Sequence, residues 1–325
     1  MDREKLISFL GKDWTDVQSI VSASLHSDIP LLKSANDSIL SHPGKQLRPL
    51  LALLISRVCN GGSVSQDALL FAAASELLHN ATLLHDDVTD ESATRRGLPT
   101  LWAVFGASPA VLVGDFWLSK AVELVIRSES RDKVVGYFSS TMSDLAEGEM
   151  LQLEKSQDGT TSEEDYYRII RCKTASLFRA SIVSAAVASG ASREQLSAAE
   201  SYALSLGMAF QIKDDIMDYC GKDEMGKPGG VDIRERKITL PLLGAIRACP
   251  EREEEIRRKI SAVREHPEYC DEIREFVFAN SGLEYAASCL QDFIGKAESA
   301  LDCFENSPEK DYLVQIARYN ALRTI

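Results

Sequence analysis

Seven cysteines occur, an odd number, scattered and without a Cys-x-x-Cys spacing. That excludes a disulfide scaffold or zinc ribbon and fits the reduced thiols of a cytosolic protein. Positive charge is also scarce: Lys plus Arg number 36 against 49 Asp plus Glu, a net charge of −13. This is the wrong sign for holding nucleic acid on a general basic surface, so an anionic ligand would need cations gathered locally, or divalent metal. No uninterrupted apolar run reaches 18 residues, so no membrane span is expected. The opening MDREKLISFLGKDWTD is polar and charged, so no signal peptide is expected and the expected location is the cytoplasm. Sustained alternation of apolar and β-branched residues between hairpin turns is missing too, which argues against a β fold.

What is present is helical. The chain has 325 residues, 45% of them hydrophobic, enough to bury a large core. Apolar residues recur at three- and four-residue spacing over 67–87, 109–128, 134–155, 163–190 and 192–219, and the intervals ESATRRGLPT, SQDGTTS and GKDEMGKPGGVD carry turn chemistry. After Pro241 the sequence is charge-rich but keeps a helical pattern, with no linker. The expectation is an all-α chain in a single domain, 1–325, a bundle of long helices around a central cavity, with its motifs between about 43 and 241.

Two aspartate motifs carry the chemistry: Asp86-Asp87-Val88-Thr89-Asp90 and Asp214-Asp215-Ile216-Met217-Asp218. Residues at i and i+4 share a helix face, so Asp86 with Asp90 and Asp214 with Asp218 form carboxylate pairs, while Asp87 and Asp215 lie about 100° round the helix as supporting partners. Like charges at this spacing repel. One such pair is more often a solvated helix end; two copies, each closing an apolar helix, favour a cation between the side chains. Hard oxygen ligands of this kind suit Mg2+, which takes one or two carboxylates and completes its shell with water and phosphate oxygens.

Basic residues cluster near these motifs in sequence. Lys45 and Arg48 lie in Gly44-Lys45-Gln46-Leu47-Arg48-Pro49, Arg95 and Arg96 follow the first motif in a turn, and Lys173-Thr174 interrupts an apolar helix. Lys227 and Lys237 flank the Gly-rich segment after the second motif, and His79 lies two helical turns before Asp86 on the same face. Singly, each is more often a solvated charge or a packing residue. Together with two metal-binding faces they describe a site for two diphosphates.

With these motifs in order, namely GKQLRP, LLHDDVTDESATRRG, KT, FQIKDDIMD and GKPGGVDIRERKITLP, the chain resembles the trans-polyprenyl diphosphate synthases of the all-α isoprenoid synthase fold. The resemblance implies transfer of an allylic group to isopentenyl diphosphate, with three Mg2+ ions held by Asp86, Asp90 and Asp214 and supported by Asp87, Asp215 and Asp218. It implies Arg95, Lys173, Gln211, Lys227 and Lys237 at the allylic diphosphate and Lys45, Arg48, His79 and Arg96 at isopentenyl diphosphate. Thr174 and Gln211 would face the carbocation with oxygen dipoles. A homodimer is implied, and neither nucleic acid nor a membrane span, although the product is lipidic. Two positions depart from the family pattern: Arg236 stands where glycine is common, and Lys213 where the residue is usually apolar, which would add a charge to the outer face of the second motif.

Product length is read from the helix before Asp86. Short-chain members of the family place an aromatic four or five residues upstream, where this chain has Thr82 and Ala81. Growth past fifteen carbons is therefore implied, each helical turn of about 5.4 Å admitting roughly one isoprene unit. Phe116 and Trp117 are candidates for a deeper floor or for plain core aromatics. The expected product is of octaprenyl type, thirty to fifty carbons, for a quinone side chain. Alternatives are a geranylgeranyl or farnesyl diphosphate synthase, a non-catalytic regulatory subunit, which would commonly lose an aspartate motif, and a terpene cyclase, which would lack the GKxLRP and RRG elements.

Overall fold

A computed structural model describes residues 2–95, 97–221 and 229–322. The order of helices is α1 (Arg3–Leu10), α2 (Lys12–Ser24), α3 (Pro30–Leu40), α4 (Leu47–Cys59), α5 (Gln66–Thr89), α6 (Leu101–Phe105), α7 (Ala107–Arg127) and α8 (Arg131–Asp158). Then come α9 (Glu163–Ile170), a π-helical turn (Arg171–Ala175), α10 (Ser176–Ala188), α11 (Arg193–Cys220), α12 (Val231–Arg234) and α13 (Leu240–Ala248). The last helices are α14 (Glu253–Ser261), α15 (Tyr269–Ala279), α16 (Gly282–Ala300) and α17 (Pro308–Leu322). Extended structure among the described residues is confined to β1 (Thr94–Arg95) and β2 (Leu98–Pro99), an antiparallel pair with Thr94 opposite Pro99 and Arg95 opposite Leu98. That hairpin stands where the sequence suggests a plain turn. Two-residue strands are too short to show a period, and Gly97 at φ +77° supplies the left-handed turn residue.

The chain forms two compact units. The first comprises 1–139, 179–200 and 302–313, and its axis is α5. Ser65 caps that helix by accepting from the Ala68 amide at 3.2 Å. Ala68, Ala72, Ala73 and Ala74 are buried along it, and their small side chains let α4, α7 and α2 pack against it. Between them lie Leu50, Leu54, Phe71, Leu77 and Trp117, each burial stabilising by roughly 1.5–3 kcal/mol. Trp117 is a core aromatic whose Nε1 donates to Asn36 Oδ1 at 2.8 Å.

The second unit comprises 140–178, 201–301 and 314–325. Its core draws Ile170, Ala209, Ile212, Ile216 and Tyr219 together with Ile233, Leu242, Ile246, Ile273 and Leu290. Within it α13 packs against α15 and α16. Among the described residues no helix is long and apolar enough to cross a membrane.

Candidate active site

In the first unit the first motif sits at the C-terminal end of α5. The helix ends at Thr89, and Asp90 is its C-cap, its amide donating to the Asp86 carbonyl at 2.9 Å. Carboxylates at a helix C-terminus face the negative end of the macrodipole, so this placement adds to the mutual repulsion of Asp86 and Asp90. Asp86 is half-buried and Asp90 exposed, whereas Asp87 is buried. Arg95 on β1 donates from Nε to Asp87 Oδ1 at 2.7 Å, so the hairpin ties its arginine to the motif. Arg96 lies outside the described residues.

Upstream on α5, Ala81 is buried and Thr82 and His79 are half-buried, with Thr82 Oγ1 donating to the His79 carbonyl at 2.8 Å. Phe116 on α7 is half-buried under the Lys120 ammonium, 5.4 Å from its ring centroid. On α4, burial pulls the Arg48 guanidinium down to about 10 despite the opposing pull of the Glu76 carboxylate. The Arg48 carbonyl accepts from Ser181 Oγ at 2.9 Å. Lys45, before α4, is exposed, and its carbonyl accepts from Arg3 Nε at 3.1 Å.

In the second unit the other motif occupies the last two turns of α11, again at a helix C-terminus. Asp214 is exposed and Asp218 half-buried. Asp218 accepts from the amides of Val231 and Asp232, both at 3.0 Å, and so caps α12. Gly230 permits this turn with φ +81°, and a Cβ on Gly229 would stand 2.5 Å from the Gly221 Cα. The pair of glycines is thus required by one conformation and one close approach. Lys227 lies outside the described residues.

Asp215 points inward. It accepts from Tyr166 Oη at 2.6 Å and Gln211 Nε2 at 2.8 Å, while Thr174 Oγ1 donates to Gln211 Oε1 at 2.8 Å. Burial pushes the Asp215 carboxyl up to about 7; the two hydrogen bonds oppose that shift, and the Asp214 and Asp218 charges add to it. Asp232 is held well above the usual carboxylate range by burial and by the charges of Asp215 and Asp218.

Lys173 and Thr174 lie in the π-helical turn, where the Ser176 amide bonds to the Arg171 carbonyl, five residues back. The wider turn adds one residue to the helix path and re-aims both side chains. Gly148 of α8 backs it on one side and Gly207 of α11 on another, with Cβ positions 2.8 Å from Cys172 Cβ and 2.5 Å from Ala175 Cα. Lys173 pairs with Glu149 at 2.5 Å, and Lys237 with Glu235 at 2.5 Å.

Both departures noted in the sequence have structural accounts. Arg236 adopts φ +63°, which explains why glycine suits that position, and it pairs with Glu265 at 3.2 Å. Lys213 does not add charge to an outer face: it is 6% exposed, lying about 100° round α11 from the exposed Asp214. Tyr166, Glu149, Glu76 and the π turn were not identified from sequence. A tyrosine seven residues before Lys173 carries no composition or spacing signal of its own.

Among the described residues no group of three or more His, Cys, Asp or Glu is arranged to hold a metal by protein ligands alone. The donor set of carboxylate pairs fits a hard divalent cation that shares its shell with phosphate oxygens and water.

The Polyprenyl synthetase family profile matches residues 29–277. An octaprenyl diphosphate synthase of Haemophilus influenzae is 36% identical over 313 residues, covering 96% of this chain and 93% of that protein. A Caulobacter crescentus polyprenyl synthase, solved with calcium and isoprenyl diphosphate, superposes with TM-score 0.90 at 34% identity over 99% of this chain and 98% of the other. A decaprenyl diphosphate synthase of Rhodobacter capsulatus gives TM-score 0.92 at 31% identity over 99% of each chain. With these likenesses extending over nearly its whole length, the chain belongs to the polyprenyl synthetase family, prenyltransferases of the all-α isoprenoid synthase fold.

Proposed function

We propose that this prenyltransferase condenses isopentenyl diphosphate repeatedly onto an allylic diphosphate, using Mg2+, to give an octaprenyl-type product of thirty to fifty carbons. The observation that carries the reading is the setting of both aspartate motifs at the C-terminal ends of long helices, α5 and α11. There the helix dipole and the neighbouring carboxylates alike oppose negative charge, and bound cations relieve both. In this reading Asp86, Asp90 and Asp214 are the Mg2+ ligands; Asp87, Asp215 and Asp218 are held by protein donors.

When bound, Mg2+ supplies positive charge against the negative charge that grows on the departing diphosphate. The protein does the rest. Lys173, Lys237 and Arg95 bind the allylic diphosphate, each released or shared by its present partner, Glu149, Glu235 or Asp87. Lys45, Arg48, His79 and Arg96 bind isopentenyl diphosphate. Thr174 and Gln211 turn oxygen toward the allylic carbon as its C–O bond breaks, and the isopentenyl double bond attacks that carbon. Among the described residues no side chain offers an evident base for the proton then lost, and the departing diphosphate accepts it.

A homodimer accompanies this reading. Val111, Leu112, Val122 and Ile126 of α7 are exposed and lie within about 100° of arc, two apolar patches separated on the same face by the exposed Asp115 and Ser119; apolar surface of this kind marks protein interfaces. The test is to incubate the purified protein with labelled isopentenyl diphosphate, Mg2+ and primers of several lengths, then size the products. A ladder ending between thirty and fifty carbons is expected; a product stopping at fifteen or twenty, or no incorporation with any primer, overturns the reading.

A further inference from the structure

Four side chains of the second unit form a hydrogen-bonded chain whose direction is set at one end. Tyr166 Oη donates to Asp215 Oδ2, Gln211 Nε2 donates to Asp215 Oδ1, and Thr174 Oγ1 donates to Gln211 Oε1, at 2.6, 2.8 and 2.8 Å. A glutamine amide has no preference of its own for which end is oxygen, because the two ends are nearly alike in shape. Here a neighbour decides. While Asp215 is ionised its oxygens only accept, so Oδ1 is met by the NH2 end, the amide oxygen faces Thr174, and Thr174 spends its single hydroxyl proton on it. What the hydroxyl has left to offer is lone pairs. The far end of the chain is sealed, Tyr166 being 2% and Asp215 3% exposed, so water does not supply alternative partners.

We propose that Tyr166 is a positioning residue for prenyl transfer: its hydroxyl fixes the Asp215 carboxylate in the orientation that makes Gln211 and Thr174 present oxygen, rather than hydrogen, to the electron-deficient allylic carbon. This rests on the function proposed above. The energetic sense is direct, because preorganised oxygen dipoles stabilise developing positive charge and N–H or O–H dipoles turned the same way oppose it. The hydroxyl of Tyr166 acts two hydrogen bonds away from Gln211 Oε1, so it touches neither metal nor substrate. Its ring stands edge-on to Tyr167 at 5.4 Å, a contact that phenylalanine retains.

The test is a cycle of Tyr166→Phe, Gln211→Ala and the double variant in the full chain, with Asp214→Ala as the comparator. Tyr166→Phe is expected to lower kcat by about tenfold or more, the loss of one oriented interaction, while the KM for both diphosphates and the Mg2+ midpoint stay within about twofold. In the Gln211→Ala background the same substitution is expected to cost less than about twofold, because the residue it acts through is gone. Asp214→Ala should instead move the Mg2+ midpoint. Unchanged kcat in Tyr166→Phe, additive losses in the cycle, or a Mg2+ shift like that of Asp214→Ala would each overturn the proposal. Orientation is also read without turnover, from the Gln211 side-chain amide protons by NMR: slow exchange in the parent and fast exchange in Tyr166→Phe are expected, and equal rates overturn the proposal. A parent enzyme that incorporates no isopentenyl diphosphate would refute the proposed function, leaving this amide measurement to judge the hydrogen-bond chain by itself.

Discussion

Gly207 and Ala175 touch backbone to backbone: a Cβ on the glycine would stand 2.5 Å from the alanine Cα. Ala175 closes the π turn that carries Lys173 and Thr174, so this contact fixes how far the turn stands from α11. Gly207→Ala must push backbone, and overpacking of this kind costs ~1–3 kcal/mol. Gly148→Ala meets Cys172 Cβ and Lys173 Cγ, each at 2.8 Å, so it too presses on the turn, with a smaller overlap than the 2.5 Å approach at Gly207. The expected result is a lower urea midpoint for Gly207→Ala than for Gly148→Ala, with turnover reduced in both. Equal midpoints in the two variants and the parent would mean the turn is not held by these approaches.

Asp86→Ala and Asp214→Ala remove proposed metal ligands. Loss of one well-placed electrostatic stabiliser costs ~2.7–4 kcal/mol of barrier, so turnover should fall by at least about two orders of magnitude with the helical circular dichroism unchanged. In EDTA, Asp86→Ala should melt no lower than the parent, because it removes a carboxylate from the negative end of α5. Near-normal turnover at ordinary Mg2+ would reduce the motif to a solvated helix end.

Much of this architecture was legible in the sequence because helical period and carboxylate spacing are local. The pattern over 67–87 became α5 and that over 192–219 became α11, within two residues at either end. The π turn was invisible because the apolar period runs unbroken from Glu163 to Gly190, and one extra residue in a single turn does not disturb it. Burial of Lys213 and the link from Tyr166 to Asp215 depend on which elements pack together, which no window of sequence contains. Arg236 was half legible: the departure from glycine was readable, and its left-handed φ supplies the reason.

That left-handed residue gives a prediction about stability. A non-glycine residue in this region costs roughly 1–2 kcal/mol, and the Arg236–Glu265 pair, with the Glu265 side chain 64% exposed, returns ~0–1 kcal/mol. Arg236→Ala should therefore destabilise by losing the pair while keeping the strain. Arg236→Gly should be more stable than Arg236→Ala by about 1 kcal/mol. Denaturant titration of the two variants checks the order; alanine equal to or above glycine would show that the backbone there is not strained.

The exposed apolar residues of α7 predict the oligomeric state. Leu112 is 66% and Ile126 55% exposed, and a glutamate at either would put an unpaired charge into an interface core. Sedimentation of the parent at micromolar concentration should give a species of about twice 35.8 kDa, and Leu112→Glu with Ile126→Glu a species of that mass itself. A parent that sediments as a fully active monomer rules out the dimer.

Product length is tested on α5, separately from the metal ligands. Ala81 is 1% exposed and lies five residues before Asp86, so a ring introduced there enters packed space and cannot be accommodated without moving its neighbours. If that space admits the growing chain, Ala81→Phe should let the first condensations proceed and stop the product near about fifteen or twenty carbons, since one helical turn spans about one isoprene unit. Phe116→Ala, which opens space under the Lys120 ammonium, should lengthen the distribution instead. Overpacking also costs ~1–3 kcal/mol of stability, so melting curves and the rate of the first condensation must accompany the product chromatogram. Wild-type product length at a wild-type rate in Ala81→Phe would mean that the growing chain does not run along this face of α5, and the case for a medium-to-long product would lose its support in the sequence.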